Sequence, residues 1–332
     1  MTKTNFAYRQ ITCWLLLLVA CCSLVGCPDS NKPDPDADSG SESTGESAQG
    51  QSWVATTGHI ADALRRISDG ANVDIKQLCG PGVDPHSYSA STADVKAMAN
   101  CNAIYYNGFH LEARLHDLLE HEFAEKAWGM AGAFPEDARL DWEEDGVIDP
   151  EAPFDPHIWN HLPGWSKCVE GLIEQVCKTD PDNEDLYRKN GEAYVAEITK
   201  THQEAIKKFE SIAKDKRVLV SAHDAFNYFS TVYEFESIAV LGIGNDAEAD
   251  VKRMREVAKT VCDRKVPVIF LENITNPKVT EALQEACEAQ DWSVEIAEKP
   301  LYSDDLGVDA PLDTFLGAFD SNVTLIAESL GK

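Results

Sequence analysis

The chain is short of positive charge. Lys and Arg together number 29 against 57 Asp and Glu, a formal net charge of −28 over 332 residues. A phosphate backbone needs a basic face, so a general nucleic-acid binder is excluded. Nor is there a polybasic patch for an anionic lipid surface. CxxC is missing, which removes a zinc ribbon and a dithiol redox pair of that spacing. HExxH and GxSxG are missing too, and with them the common zinc-protease and serine-hydrolase signatures. No repeat stands at solenoid or propeller periods. Past the N-terminus, no run is apolar enough to cross a bilayer. What remains is an acidic, solvated chain compatible with handling cations. With 43% hydrophobic residues it can bury sizeable cores in about two domains.

The N-terminus reads as an address. Residues 1–10 hold Lys3 and Arg9 and no acid, and residues 11–26 are almost wholly apolar. This is the order of an export signal, and it is short for a membrane span. Leu24-Val25-Gly26-Cys27 resembles a bacterial lipobox, which would make Cys27 the lipidated first residue of the mature chain. Residues 28–50 carry six acids, one Lys and no large apolar side chain. Such a segment cannot offset its ordering entropy and is expected to be a disordered tether. About 24 residues of flexible chain reach roughly 27 Å.

Six cysteines follow: Cys79, Cys101, Cys168, Cys177, Cys262 and Cys287. Export permits disulfides, and the pairing stays open. Cys168 and Cys177 fall on one expected helix, where nine residues rise about 13.5 Å, too far for a direct bridge.

Strands and helices alternate in two blocks. The first has strands at 53–57, 73–75 and 103–106, with helices at 58–69 and 91–100. The second has strands at 217–220, 266–271 and 294–296, with helices near 224–233, at 277–289 and at 312–330. Alternation predicts parallel α/β architecture. Between the blocks, residues 182–213 place apolar side chains at spacings of three, four or seven, acids early and lysines late. One helix of about 32 residues would be about 48 Å long, a stiff strut between two lobes. Gly191 could instead split it, at up to about 1 kcal/mol relative to Ala.

Among nine histidines, two share a setting: Asp84-Pro85-His86 and Asp155-Pro156-His157. The Asp can accept from an imidazole N–H and so set the tautomer of a metal ligand. His223 follows the strand at 217–221, and Asp304 follows the strand at 294–296. Open α/β sheets bind ligands at such strand ends. Each lobe thus offers two donors to a cleft. His157 and His161 are spaced i,i+4, as zinc-binding helical pairs are. His116 and His121 are five apart, a poor spacing for one helix face. His59 and His110 are taken as structural, and Glu112 and Glu272 as braces.

The stretches TTGHIAD (56–62), GPGVDPHSY (80–88), YYNGFHLE (105–112), FDPHIW (154–159), SAHDAFNYF (221–229) and LYSDDLG (301–307) together resemble the metal-receptor subunits of bacterial ABC importers. These are the cluster A-I, TroA/ZnuA-like solute-binding lipoproteins. The resemblance covers roughly 53–330. It implies two α/β lobes, each a mainly parallel sheet flanked by helices, joined by one long rigid helix, with a divalent metal between them. Carried over, the ligands are His86, His157, His223 and Asp304, with Asp305 the neighbouring alternative. The expected organisation is a signal peptide at 1–26, a lipidated tether at 27–51, an N-terminal lobe at 52–181, a backbone helix at 182–214 and a C-terminal lobe at 215–332.

The resemblance implies a non-enzymatic, monomeric carrier outside the cytoplasm, in the periplasm or at the cell exterior. It would be held to a membrane by its lipid and would deliver one ion to a permease with its ATPase. Three imidazoles and a carboxylate suit a borderline divalent ion. Zinc-specific relatives often carry a His-rich insertion. Residues 113–153 here are acidic and hold two histidines, His116 and His121, which leaves Zn2+, Mn2+ and Fe2+ open. Two rival readings stand beside this one: a zinc hydrolase or lyase on the same scaffold, and a surface adhesin with a structural metal.

Overall fold

The computed structural model describes residues 50–144, 147, 148, 150, 153–243 and 250–331. Cys27, the export signal and nearly all of the tether lie outside them. Strand β1 (Gln51–Ala55) starts at the last residue assigned to that tether. Among the described residues, no helix is long and apolar enough to cross a membrane.

The first half holds a four-stranded, all-parallel sheet in the order β2-β1-β3-β4. Its other strands are β2 (Val73–Gln77), β3 (Ala103–Tyr106) and β4 (Ala127–Gly129). Helix α1 (Gly58–Ile67) leaves β1 through Thr57, whose hydroxyl accepts from Ile60 N at the first turn. Helix α2 (Thr92–Asn100) opens on a reciprocal cap between Ser91 and Asp94. A two-residue hairpin, β5 (Glu143–Glu144) and β6 (Val147–Ile148), precedes helix α3 (Leu162–Thr179). Cys168 and Cys177 do share α3, and Cys79, Cys101, Cys168, Cys177, Cys262 and Cys287 are all free thiols.

The strut is one helix, α4 (Glu184–Phe209), 26 residues long and so about 39 Å. It is shorter than expected at both ends: residues 181–183 form a separate 3-10 turn before it, and it stops at Phe209 rather than at 213. Gly191 does not split it. A Cβ there would meet Ile173 Cδ1 of α3 at 2.3 Å, so the glycine permits a close crossing of α3 and α4. The helix is anchored at both ends by aromatic edges. Near its start Tyr187 meets Trp53 of β1, ring centroids 5.8 Å apart. At its end Phe209 meets Phe229, Tyr233 and Phe235 at 5.6, 5.3 and 4.9 Å.

The second half comprises β7 (Val218–Ser221), α5 (Asn227–Tyr233), β8 (Glu236–Ala239), α6 (Val251–Arg264), β9 (Val268–Ile269), α7 (Pro277–Glu288), β10 (Glu295–Ile296) and α8 (Phe315–Leu330). Strands β7 and β8 pair in parallel, as do β9 and β10. Phe270 N donates to Val220 O at 2.9 Å and joins the two pairs. The run 266–271 yields a strand of two residues rather than six. Pro267 has no N–H for the ladder, and beyond Ile269 the backbone turns its bonds to Val220 and Leu301.

One buried hydrophobic cluster runs without a break from Trp53 and Trp159 through Tyr194 and Phe209 to Phe229, Phe315 and Leu330. Both halves and the strut share that core. Smaller clusters lie behind the C-terminal strands and on the outer face of the N-terminal sheet.

Candidate metal centre

Each half contributes two side chains at the seam. His86 stands in the loop after β2, and His157 stands just before α3. His223 stands two residues after β7, and Asp304 follows the bridge residue Leu301. All four are buried, with His157 and His223 at 0% exposure. One donor atom from each lies within 4.8 Å of all the others. His86 Nε2 is 3.2 Å from His157 Nε2. Asp304 Oδ2 is 3.3 Å from His86 Nε2 and 3.2 Å from His223 Nε2, and its Oδ1 is 3.4 Å from His157 Nε2.

The three imidazoles therefore point Nε2 inward, and two have Nδ1 held from behind. Asp155 Oδ1 lies 2.7 Å from His157 Nδ1 and also accepts from His157 N at 2.9 Å. Glu272 Oε2 faces His223 Nδ1. Its Oε1 accepts from Ala222 N at 2.8 Å and His223 N at 2.9 Å. Carboxylates behind the rings keep Nδ1 protonated and leave Nε2 lone pairs for the centre. The two Asp-Pro-His copies thus differ. Asp84 Oδ1 accepts from His86 N at 2.9 Å, and Asp84 Oδ2 from Ser87 Oγ at 3.0 Å, so this Asp folds the turn rather than gripping the ring.

Electrostatics follow from the same contacts. Burial disfavours a charged His157, but Asp155 and Asp304 outweigh it and raise its pKa. Burial likewise opposes a charged His223, and Glu272 with Asp304 raises its pKa well above the ordinary value. For Asp304, burial favours the neutral acid, yet His223 and His157 hold it well below the usual carboxylate range. Without a cation, these shifts favour charged His157 and His223 beside the Asp304 carboxylate. A divalent ion would replace their protons.

The neighbouring acid is turned elsewhere. Asp305 Oδ2 accepts from Gly82 N at 2.6 Å, and burial pushes its pKa up to about 7. Asn273 clamps the segment: its Oδ1 accepts from Ser303 N at 3.2 Å and its Nδ2 donates to Asp305 O at 3.2 Å. From the other half, Trp159 Nε1 donates to Ser303 O at 2.8 Å. These bonds decide which of two adjacent aspartates faces the histidines.

The remaining histidines are apart from the centre or behind it. His161 caps α3, its Nδ1 accepting from Gly164 N at 2.9 Å. His59 stacks on Trp159 with ring centroids 4.7 Å apart, and burial drives its pKa down to about 3. His202 Nδ1 lies 3.0 Å from Tyr233 Oη. Glu112 accepts from Thr56 Oγ1, Asn107 N and Gly108 N at 2.6, 2.7 and 3.1 Å, a brace as expected. Glu272 is a brace of closer consequence, since it orients His223 itself. Nothing in the local sequence tells the two glutamates apart, because Glu272 reaches its histidine across 49 positions.

Comparison with known proteins identifies the family. The family described as "Zinc-uptake complex component A periplasmic" matches residues 54–329. The chain is 35% identical over 288 residues to the zinc-binding protein TroA of Treponema pallidum, covering 86% of this chain and 91% of that one. It is 32% identical over 294 residues to the manganese-binding lipoprotein MntA of Bacillus subtilis, covering 88% and 94%. A manganese ABC transporter substrate-binding lipoprotein, PsaA of Streptococcus anginosus, is 26% identical over 331 residues, covering 98% and 100%. The solved TroA structure superposes with a TM-score of 0.80 at 34% identity, covering 86% of this chain and 100% of that one. With two α/β halves on one long helix and a match spanning nearly all of the described fold, the chain belongs to the ZnuA/TroA family of metal-binding receptors of ABC importers.

Proposed function

We propose that this protein captures one divalent transition-metal ion outside the cytoplasm and hands it to the permease of an ABC importer. The observation that carries this is the convergence of His86, His157, His223 and Asp304, two from each half, on one buried point. Four protein donors make a closed shell suited to carriage; a hydrolase would need an open coordination position and a nearby base. The family is one of transport receptors, so the hydrolase reading has no support. An adhesin reading has none beyond adhesin-like names such as FimA and ScaA among the relatives.

His157 and His223, with their tautomers set by Asp155 and Glu272, and His86 supply neutral nitrogen; Asp304 supplies the anionic oxygen. The cargo is Zn2+ or Mn2+, with Fe2+ also compatible with the donor set. Zinc would bind more tightly than manganese in vitro whichever is carried. Relatives named as lipoproteins support an anchor at Cys27, with residues 27–51 as tether, 52–181 and 215–332 as lobes and 182–214 as the linking segment. The working unit is a monomer that meets a permease coupled to an ATPase.

Element analysis of protein purified from its native host identifies the cargo. Metal titration of His157→Ala and Asp304→Ala tests the ligands, with each variant expected to lose high-affinity uptake. Parent-like binding by both variants would overturn the assignment.

A further inference from the structure

Twelve residues of the N-terminal half bring three more imidazoles together. His110 and His116 have ring centroids 5.9 Å apart, and His116 and His121 have theirs 5.7 Å apart. In the buried centre the three histidine pairs stand at 5.2, 5.5 and 6.4 Å. Two of the three outer pairs thus stand as close as the pairs of the buried centre, with His116 the middle ring of the column. His116 and His121 are exposed and His110 is half-buried, so their side chains can turn onto a common cation by rotamer changes.

Two backbone irregularities produce this column. In an α-helix, residues five apart are separated by about 140° around the axis, so His116 and His121 should not meet. Here Leu118–Glu122 forms a π-turn, closed by Phe123 N donating to Leu118 O at 2.8 Å. A turn that closes on the fifth residue carries His121 round to His116. Leu115 and Leu119 bury the opposite side against the outer face of the sheet, which directs the histidines outward. On the other flank, Gly108, Phe109 and His110 take φ values of 88°, 50° and 63° in succession. Left-handed backbone at two non-glycine residues costs roughly 1–3 kcal/mol each, and it sets His110 beside His116.

We propose that His110, His116 and His121 form a second cation site on the surface, for Zn2+, Ni2+ or Cu2+. Imidazole donors favour these ions over Mn2+ or Mg2+. The site is exposed and needs side-chain ordering, so it binds more weakly than the buried centre, and the two sites fill in order. It stands independently of the assignment of the buried ligands.

The test is a Zn2+ titration of the full-length, untagged protein, followed by the same titration of His116→Ala and His121→Ala. Both residues are exposed, so neither change should unfold the chain. The parent should bind a second equivalent after the first. Each substitution should weaken that second step by about tenfold or more, as loss of a ligand does at least as much harm as loss of its outer partner, and leave the first step unchanged. Asp304→Ala should do the reverse. A single equivalent in the parent, or a second that ignores both histidine substitutions, overturns the proposal.

Discussion

Glu272 holds His223 with both oxygens: one faces the ring Nδ1, and the other accepts from the backbone N–H of His223 itself at 2.9 Å. The ring is thereby fixed in direction before any ion arrives, and Nδ1 is the nitrogen that keeps its proton when one binds. Glu272→Gln keeps the shape and removes the charge. Zn2+ affinity is expected to fall about 10- to 100-fold with the far-ultraviolet dichroism unchanged. A chelator-competition titration reads this, and equal affinity would show that the carboxylate is only a backbone brace.

Metal uptake should expel protons. The carboxylates around His157 and His223 raise both pKa values, yet a ligating imidazole must be neutral at Nε2. Proton competition therefore starts above the ordinary imidazole range, and affinity should weaken as pH falls. Calorimetric titration at pH 6 in buffers of different ionisation enthalpy should report net proton release. Zero release would contradict the charged pairing of these histidines with Asp304.

His59 makes the fold itself acid-sensitive. Its pKa is lowered by burial to about 3 against 6.5 for the free side chain. Above pH 6.5 neither folded nor unfolded chain holds that proton, so the residue costs nothing. Between pH 6.5 and about 3 the unfolded chain takes it up and the folded one does not, so stability falls by roughly 5 kcal/mol across that window. Denaturant titrations of the metal-free protein should show a shallower decline for His59→Phe. Parallel curves would mean that His59 is protonated in the folded state.

Gly191→Ala sets two effects against each other. Alanine is worth about 1 kcal/mol in a helix interior. The new Cβ would stand 2.3 Å from Ile173 Cδ1 and 2.4 Å from its Cγ1, and overpacking a core costs about 1–3 kcal/mol. Overpacking should win, giving a net loss of about 1 kcal/mol or more, whereas in an Ile173→Ala background, itself destabilised by about 2–5 kcal/mol, the same Gly191→Ala change should be neutral or stabilising. A more stable single variant would show that α3 and α4 can part at no cost.

The continuous core also bears on motion. Trp53 at one end of α4 and Phe209 at the other are packed into the same cluster, so wide hinge closure would have to tear it. Solution scattering with and without Zn2+ should give nearly equal radii of gyration. A change of several ångströms would refute the stiff strut.

Much of this was legible in the order of residues. Alternating apolar runs mark β1, α1, β2, α2 and β3, and Pro277 marks the start of α7. The motif set named the four side chains that meet. Less was legible where one local signal outweighed another. The apolar run 266–271 suggested six strand residues, and the missing N–H of Pro267 left two. Helix α6 has a cap in Asp250 and a stripe in Val257, Ala258 and Val261, a signature that the alternation argument passes over. The i,i+5 spacing of His116 and His121 spoke against contact, and a π-turn reversed it.

Periodicity, caps and prolines act over three to five residues. For that reason the sequence alone was enough to set the elements, their alternation and the donor types. Which aspartate turns inward, which glutamate steadies a histidine and whether Gly191 breaks its helix were left to the assembled molecule. Each depends on an approach between residues far apart in the chain: Trp159 to Ser303, Glu272 to His223, Ile173 to Gly191. No short-range preference encodes those distances; they exist once both halves have closed on one core.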